Sequence, residues 1–266
     1  VKWDAPFGAG RPGWHIECSA MSMKHLGETF DIHTGGVDLI FPHHENEIAQ
    51  SVGATKKPFV KWWVHNEHLL VDGRKMSKSL GNFYTLRDLL EKGYSAMAIR
   101  YLLLSVHYRQ QLNFTEDSLK SAVEAVEKIN NFVFVMGNVK GKENNKDVTQ
   151  VIEKADAGFR SKLDDDLNIS EALGVVFDFM NGVNKLTLSK KDAALVISQM
   201  EKFDLVLGVL EKKDDAITKK VEKLIADREK ARAEKDFSTA DKIRDELAKE
   251  GIELRDTKDG VVWKKV

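Results

Sequence analysis

All four prolines of this 266-residue chain lie within its first 58 residues. They are Pro6, Pro12, Pro42 and Pro58. Proline removes a backbone N–H and clashes with the preceding helical turn, so a stretch without it is free to form long helices. Because residues 59–266 contain none, we expect an α/β part followed by a mainly α part.

The first part alternates helical and strand patterns. Its predicted elements are a helix from Trp14 to Leu26 closed by Gly27, a strand from Thr29 to His33 ending at Gly35-Gly36, a helix from Pro42 to Val52 ending near Gly53, and strands from Lys61 to His65 and His68 to Val71. This alternation is typical of a doubly wound sheet, in which ligands bind beyond the carboxyl ends of the strands. Residues 1–110 are therefore predicted to form a partial Rossmann-type domain.

From Thr115, a residue suited to capping a helix, apolar positions recur at intervals of three and four. These positions are Leu119, Ala122, Val123, Val126, Ile129, Phe132, Val133 and Met136, then Ile169, Leu173, Val176, Phe177, Met180 and Val183 behind Ser170. Leu195 to Leu210 predicts another helix ending near Gly208, and the polar stretch from Lys140 to Asp147 predicts a linker. Residues 111–211 are predicted to form an antiparallel helical bundle.

The last segment, residues 212–266, predicts a small α+β domain. Val221 to Glu234 and Ser238 to Lys249 are charged helical patterns, and Gly251 is suited to a helix C-cap. A hairpin is predicted from Ile252 to Arg255 and Val261 to Trp263, turning at Lys258-Asp259-Gly260.

Composition excludes several classes of protein. The formal net charge is −1, with 31% charged and 42% hydrophobic residues, which predicts a soluble cytoplasmic protein and excludes nucleic-acid binding by bulk charge alone. No apolar run approaches the roughly 20 residues that cross a bilayer, so no membrane partner is expected. Cys18 is the only cysteine, which excludes an intrachain disulfide. Val1 to Gly13 has no initiator methionine and reads as an interior loop, so we expect a portion of a longer protein.

The stretch from Asp72 to Asn82 has the composition of a loop that closes on polyphosphate. It places Arg74, Lys75 and Lys78 within five residues, with two hydroxyls among them and a glycine near each end. Lysines neutralise phosphate charge, hydroxyls and backbone amides donate hydrogen bonds, and glycines let the backbone bend. An exposed basic turn is the alternative.

Cys18, His43 and Glu47 are competent zinc ligands. His43 and Glu47 are four residues apart on one predicted helix and face the same way. Spacing alone leaves a core cysteine and a surface His/Glu pair open. The order His43-His44-Glu45-Asn46-Glu47 lacks the second histidine of a metalloprotease helix, so a hydrolytic zinc site is disfavoured.

A family resemblance rests on four motifs. Lys75-Met76-Ser77-Lys78-Ser79 resembles the signature loop of class I aminoacyl-tRNA synthetases. Gly13 to Met21, Phe41 to Glu47, and Asp164 to Asn168 narrow the resemblance to cysteinyl-tRNA synthetases. The resemblance covers the whole chain, through Trp263. It does not cover the family's N-terminal half, and the His-Ile-Gly-His type motif and an upstream zinc-binding cysteine are absent from this sequence.

The resemblance implies activation of L-cysteine by ATP to cysteinyl-adenylate and transfer to tRNA(Cys). It implies a Zn²⁺ held by Cys18, His43 and Glu47, and ATP used together with Mg²⁺. The remaining implied sites are an amino-acid pocket at Trp14 and His15, ATP contacts at Gly35, Gly36, Asp38, Met76, Ser77, Lys78 and Ser79, catalytic roles for Lys75 and Lys78, and tRNA contacts at Arg255, Asp256 and Trp263. His33 and His44 are further pocket candidates without an assigned role.

The implied domains are the C-terminal half of a Rossmann catalytic domain (1–110), a tRNA-binding helical bundle (111–211) and a small anticodon-contacting domain (212–266). Two alternatives stay open. One is a cysteine ligase that acts on an amino sugar, which is not expected to carry residues 221–266. The other is a non-enzymatic RNA-binding or assembly protein, and a separate chain supplying the missing N-terminal half would exclude it.

Overall fold

The structure, a computed structural model, describes residues 1–211, 215–257 and 260–265. Ten helices and seven short strands are assigned within those ranges. The α/β part comes first and the helices dominate afterwards, so the fold class predicted from the sequence is confirmed.

A parallel βαβ unit organises the first part. Helix α1 (Trp14–Leu26) ends at Gly27, whose φ of 94° suits a residue without a side chain. Strand β1 (Phe30–Gly36) leads through α2 (Glu45–Thr55) to β2 (Val60–Asn66), and the two strands pair in parallel from Phe30↔Val60 to Gly36↔Asn66. The carboxyl ends of β1 and β2 therefore lie side by side, as a ligand-binding sheet requires.

The helix predicted from Pro42 to Val52 differs in two details. A 3₁₀ turn (Val37–Leu39) and a π-helical turn (Ile40–His44) precede α2, and α2 continues past Gly53 to Thr55. Phe41, inside the second of these turns, has extended backbone (φ −131°, ψ 130°), which breaks the helical path just before His43. As a result His43 and His44 are both buried, although they are adjacent in sequence.

A second, three-stranded sheet carries the basic loop. Strand β3 (Leu69–Val71) pairs antiparallel with β4 (Arg74–Lys75) and parallel with β5 (Leu112–Phe114). Asp72 and Gly73 connect β3 to β4 with φ values of 50° and 70°, the left-handed pair that a tight hairpin turn requires. Helix α3 (Leu86–Glu91) begins behind a capping box formed by Thr85 and Asp88, and α4 (Ala96–Leu104) follows.

The predicted bundle consists of α5 (Glu116–Gly137), α6 (Asp147–Asp164), α7 (Ile169–Val183) and α8 (Lys190–Leu207). Thr115 caps α5 as predicted. Two predicted boundaries were wrong: Asn168, not Ser170, caps α7, and α8 starts five residues before Leu195, behind a Ser189 capping box. In both cases the helix begins at a polar side chain that accepts hydrogen bonds from the first backbone N–H groups. The spacing of apolar residues does not reveal the position of such a cap.

The bundle core is continuous. The buried apolar residues at its centre include Ile129, Phe132, Phe159, Val176, Phe179, Val196, Met200 and Phe203. Met97, Tyr101 and Leu104 of α4 pack against the same core, so α4 joins the sheet-containing part to the bundle.

The last segment contains α9 (Asp215–Ala233), α10 (Phe237–Lys249), β6 (Ile252–Thr257) and β7 (Gly260–Lys265). Val221, Leu247 and Ile252 form its small core. Gly251 ends α10 as predicted: it follows the last cap residue, Glu250, with a left-handed φ of 73°. Lys258 and Asp259 of the predicted turn lie outside the described residues. Among the described helices, none combines the length and apolar character needed to span a lipid bilayer.

Candidate active site

Cys18, His43 and Glu47 come together from two helices and the π turn between β1 and α2. One ligand atom of each lies within 4.8 Å of the others. Glu47 and His43 are buried and Cys18 is partly buried. Ser19 of α1, hydrogen-bonded to Gln50 of α2 at 2.7 Å, holds the two helices close enough for the thiol to reach the histidine.

The Glu47 carboxylate is held on one side only. Its Oε2 accepts a hydrogen bond from Nε2 of His33 at 2.8 Å. Its Oε1 lies 2.7 Å from Nε2 of His43, yet no hydrogen bond satisfies this buried oxygen. A buried carboxylate oxygen is costly without a donor or a cation. A cation between Oε1, the imidazole nitrogen and the Cys18 sulfur would satisfy all three, and one sulfur, one nitrogen and one oxygen donor fit Zn²⁺.

Trp14 and His15 flank this cluster. Nδ1 of His15 lies 2.7 Å from Nδ1 of His43, and the Trp14 ring lies 4.3 Å from the His43 ring between centroids. Burial and the nearby Glu47 charge raise the pKa of the Cys18 thiol, while a hydrogen bond with the Trp14 side chain lowers it. Trp14 remains more than half exposed, so its ring forms an open wall beside the cluster.

A second group of imidazoles adjoins the first. His33, His44 and Glu47 also place ligand atoms within 4.8 Å of one another. Nδ1 of His44 lies 2.8 Å from Nε2 of His65, and the Trp63 ring contacts both histidines. Burial, with His33 next in size, lowers the pKa of His44 to about 4, so His44 is neutral near pH 7. His65 was not predicted. Its signal was the two-residue spacing from Trp63, which puts both on one face of β2.

Gly35, Gly36 and Asp38 follow one another where β1 ends. A Cβ on Gly35 would lie 2.6 Å from Cε1 of the buried His44, and one on Gly36 would lie 2.4 Å from Oδ1 of Asp38. Gly35 therefore needs glycine for close approach to the buried His44 ring, whereas a Cβ at Gly36 would displace only the tip of the Asp38 side chain. Asp38 stands in the 3₁₀ turn beyond the carboxyl end of β1, the side on which such sheets bind ligands.

The basic loop is folded around an asparagine. Asn82 accepts a hydrogen bond from the Ser77 N–H at 2.9 Å and donates one to the Lys75 carbonyl at 3.2 Å. Ser77 then caps the short 3₁₀ turn Lys78–Leu80, accepting from the Ser79 N–H at 3.2 Å. Met76 is half-buried against the core around Val71, which anchors the middle of the loop.

Its three cations are solvent-facing. Arg74, Lys75 and Lys78 are exposed, and Nζ of Lys78 lies 5.4 Å from the centre of the Phe83 ring. Cation–π contact at that distance is weak enough to exchange for a phosphate. The loop thus presents exposed positive charge on an anchored backbone.

The predicted tRNA residues lie in the C-terminal hairpin. Arg255 and Asp256 are in β6, opposite Val262 and Val261, and Trp263 of β7 pairs with Leu254. Their side chains lie outside what the structure describes.

Three family models match the chain. They are the tRNA synthetases class I (C) catalytic domain over residues 1–124, the DALR domain over residues 158–211, and the cysteinyl-tRNA ligase anticodon binding domain over residues 214–263. Between residues 1 and 263 the matches follow the order of the α/β part, the bundle and the small C-terminal segment.

Curated relatives match over the whole chain. Cysteine–tRNA ligases are 47% identical in Protochlamydia amoebophila over 271 residues and 47% identical in Brachyspira hyodysenteriae over 278 residues. The alignments take in 100% of this chain but only 57% and 58% of the relatives, so the chain spans less than two thirds of their length.

A solved structure shares the fold. It is a crystal structure of a ternary complex of LeuRS, tRNA and LeuAMS from Agrobacterium radiobacter K84, with a TM-score of 0.57 and 14% sequence identity. The likeness covers 75% of this chain and 31% of the other.

Proposed function

The chain belongs to the cysteinyl-tRNA synthetase family, and on that premise we propose that it is the part of a cysteine–tRNA ligase that selects cysteine and closes on ATP. The enzyme activates L-cysteine with ATP and transfers the cysteinyl group to tRNA(Cys). The observation that carries the proposal is the convergence of Cys18, His43 and Glu47 beside the exposed Trp14 wall.

Cys18, His43 and Glu47 would hold a Zn²⁺, which when bound supplies strong affinity for a thiolate and little for a neutral hydroxyl. This chemistry would let the enzyme reject serine, because pocket shape alone separates near-isosteres such as cysteine and serine by only about a hundredfold. His33 fixes the Glu47 carboxylate through Oε2 and leaves Oε1 facing the cluster. Trp14 and His15 form the wall of the amino-acid pocket on the α1 side.

Activation is a phosphoryl-centred displacement. An oxygen of the cysteine carboxylate bonds to the α-phosphorus of ATP while the bond from that phosphorus to the β-phosphate bridge breaks, releasing pyrophosphate. Negative charge builds on the leaving pyrophosphate, so positioned cations stabilise the transition state. Lys78 and Lys75 supply those cations, with Met76, Ser77 and Ser79 shaping the loop that carries them. Mg²⁺ accompanies ATP.

The nucleotide end is assigned to Gly35, Gly36 and Asp38. The two glycines leave room at the end of β1, and the Asp38 carboxylate is placed to accept hydrogen bonds from ribose hydroxyls. His44, which Gly35 approaches closely, is neutral and buried and forms the floor of this pocket.

The α/β part exposes an apolar surface that suits further polypeptide. Trp14, Ile32, Phe41 and Trp62 are each more than half exposed, the largest value being 77% for Phe41. Among the described strands, β1 pairs only with β2, and an open parallel edge beside apolar side chains is a site for strand addition. We assign this surface to the N-terminal catalytic portion carried by the longer relatives, whether it comes from the same chain or a separate one.

The helical part is assigned to tRNA. We retain the division into a catalytic portion (1–110), a tRNA-binding bundle (111–211) and an anticodon-contacting domain (212–266). Arg255, Asp256 and Trp263 are the proposed base contacts, because aromatic faces and polar edges read unpaired RNA. The match of residues 214–263 to an anticodon binding domain favours tRNA over an amino sugar as the acceptor.

Cysteine-dependent ATP–pyrophosphate exchange tests the proposal. The chain is assayed alone and again with the N-terminal portion of a relative, with serine replacing cysteine as the control. We expect exchange only when both portions are present and only with cysteine. No exchange by a folded complex of the two portions would overturn the proposed activation reaction and favour RNA binding without catalysis.

A further inference from the structure

The loop that joins α6 to α7 is tied to the sheet-containing part through a single carboxylate. Asp166 accepts hydrogen bonds from Tyr108 Oη at 2.5 Å and from Arg109 Nε at 2.5 Å, and its carbonyl oxygen lies 2.9 Å from His107 Nε2. These four residues are called the Asp166 clasp below. Arg109 Nη2 adds a longer contact of 3.4 Å to Oδ1 of Asp166. The three partners are consecutive residues, so Asp166 binds one short segment of chain through its carboxylate and its backbone carbonyl.

The backbone at the clasp is strained. Asp166 and Leu167 have φ values of 53° and 56°, and a non-glycine residue in the left-handed region costs of order 1 kcal/mol or more. Two consecutive residues of this kind persist only when their surroundings determine the conformation. Asn168 contributes by donating its N–H to the Lys162 carbonyl at 3.0 Å and capping α7. The clasp provides the restraint on the outer side of the turn.

The segment that the clasp holds leads directly to the basic loop. Three residues after Arg109 begins β5, which pairs in parallel with β3. At the far end of β5, the Asn113 side chain accepts the Gly73 N–H at 2.7 Å and the Phe114 carbonyl accepts the Asp72 N–H at 3.0 Å. Asp72 and Gly73 form the turn immediately before Arg74. One short segment, residues 107–114, is therefore bonded to the bundle at one end and to the hairpin of the basic loop at the other.

Apolar packing at this junction is incomplete. A cavity of about 540 Å³ lies beside the clasp, lined by Leu69 and Leu112 of the sheet, Leu103 of α4, and Leu163 and Leu167 of the bundle. Further polar links are Arg100 of α4, whose guanidinium donates to the Leu207 and Val206 carbonyls at the end of α8, and Lys92, whose Nζ lies 3.7 Å from Oε1 of Glu116 of α5. These hydrogen bonds of Arg100 do not involve residues 107–114. Elsewhere Leu119 and Ala122 of α5 pack with Val71 and Phe114, so the clasp is the link on the side of the junction that the cavity leaves open.

We propose that Asp166 is a positioning residue that couples the helical bundle to the Lys75–Ser79 loop through Arg109, β5 and Asn113. The proposal rests on the proposed function for its catalytic meaning, since the loop acts on ATP only if the chain belongs to a cysteine-activating enzyme. Its structural content does not depend on that function. A load placed on the bundle by bound RNA is transmitted along residues 107–114 to the hairpin turn at Gly73.

The rate of trypsin cleavage reports on the opening of the loop, because Arg74, Lys75 and Lys78 are exposed cleavage sites within it. The variant Asp166→Asn removes the charge but keeps a residue type that tolerates a positive φ. Asp164→Asn, in the same acidic run but outside the clasp, is the matched control. Cleavage follows the open population of a segment when closing is fast. We expect Asp166→Asn to speed cleavage at residues 74–78 about threefold to tenfold, with the exposed Lys56 cleaved at the wild-type rate.

Two further variants guard against general unfolding. Arg109→Lys keeps the charge but cannot form the two-pronged contact, so we expect a smaller rise than for Asp166→Asn. Asn113→Ala removes the link at the other end and should raise cleavage without any change in the clasp itself. A double variant of Asp166 and Asn113 should cleave no faster than the faster single variant, because both substitutions break one connection. Wild-type cleavage rates in Asp166→Asn, or an equal rise at Lys56, would overturn the proposal.

Kinetics distinguish positioning from a loss of folded protein. In the chain combined with its N-terminal portion, Asp166→Asn should raise the KM for ATP about threefold to tenfold and leave the KM for cysteine unchanged. A purely structural role lowers kcat through the active fraction and leaves both KM values alone, which would overturn the coupling. If the wild-type complex shows no cysteine-dependent exchange, the proposed function fails, and the trypsin result alone decides whether the clasp positions the loop.

Discussion

Nε2 of His43 lies 2.7 Å from Oε1 of Glu47, one helical turn away, and no hydrogen bond joins them. The other nitrogen of His43 faces His15, and the other oxygen of Glu47 is already bonded to His33. The two remaining polar atoms are therefore directed at each other and at the Cys18 thiol. Such an arrangement is favourable when a cation lies between them.

Replacement of Glu47 should abolish tight metal binding. Glu47→Gln keeps the size of the side chain but removes the charge, so we expect zinc affinity to fall by more than about a hundredfold, beyond the loss typical of supporting residues. Bound zinc is measured in purified, dialysed protein, together with a competition titration against a chelator. Glu45→Gln, two residues earlier and exposed, is the control and should retain wild-type zinc. Equal zinc affinity in both variants would contradict the assignment.

Replacement of Lys78 should slow activation without disturbing the fold. Lys78→Ala removes one preorganised cation from the loop, a loss that costs about a hundredfold or more in rate. The assay is single-turnover adenylate formation in the chain combined with its N-terminal portion. Lys57→Ala serves as control because Lys57 pairs with Glu28 on the surface, away from the loop. A near-normal rate for Lys78→Ala would remove Lys78 from the catalytic group.

A methyl group at Gly35 should clash, whereas one at Gly53 should not. The new Cβ at Gly35 would meet Cε1 of His44 at 2.6 Å, and the ring cannot retreat because it is packed against Trp63 and His33. Overpacking of this kind destabilises by about 1–3 kcal/mol. Gly53 lies in α2 with open space around its Cα, so Gly53→Ala should stabilise by about 0.5–1 kcal/mol. Denaturant unfolding measures both, and equal effects at the two positions would refute the close approach.

Acid should weaken the bundle through Asp192. Its carboxylate accepts backbone hydrogen bonds from Ser189 and Asn145, which hold the pKa of Asp192 below its ordinary value of 3.8. A carboxyl whose pKa is lower in the folded state stabilises the fold above its unfolded pKa and loses that contribution as pH falls through the folded value. Asp192→Asn should therefore be less stable than wild type near neutral pH, and the two stabilities should converge as pH falls below 3.8 and through the lower folded value.

Glu201→Gln, an exposed site on the same helix, controls for the change in net charge in that titration. Chemical denaturation is followed from about pH 7 to about pH 2.5. A stability difference between wild type and Asp192→Asn that persists unchanged at the acidic end would show that the Asp192 carboxylate does not contribute through its ionisation.

Helices with clear ends were predictable. Helix α1 runs from Trp14 to Leu26 as expected, because Gly27 supplies a left-handed stop and Gly13 an extended entry. The cap of α5 at Thr115 was equally visible, since a hydroxyl precedes a long apolar repeat. The break before α2 was not, because the extended Phe41 leaves no mark on the spacing of apolar positions. That break decides which way His43 and His44 face.

The shortest strands could not be predicted from the sequence either. Strands β4 and β5 have two and three residues, too few to show an alternating pattern. Strand β4 pairs with β3 through a two-residue hairpin, whereas the pairing of β5 with β3 joins residues more than forty positions apart. Only part of the ligand triad could be predicted from the sequence. The four-residue spacing of His43 and Glu47 puts them on one face, but the approach of Cys18 depends on how α1 packs against α2.

Our central proposal is that Cys18, His43 and Glu47 form a cluster that selects a sulfur-containing substrate. The most direct measurement is the ratio of cysteine-dependent to serine-dependent ATP–pyrophosphate exchange, in the chain combined with its N-terminal portion, for wild type and Glu47→Gln. The account predicts a wild-type preference for cysteine well above the roughly hundredfold that shape supplies, and its collapse toward that level in Glu47→Gln. A preference that survives unchanged in a zinc-free Glu47→Gln enzyme would contradict it.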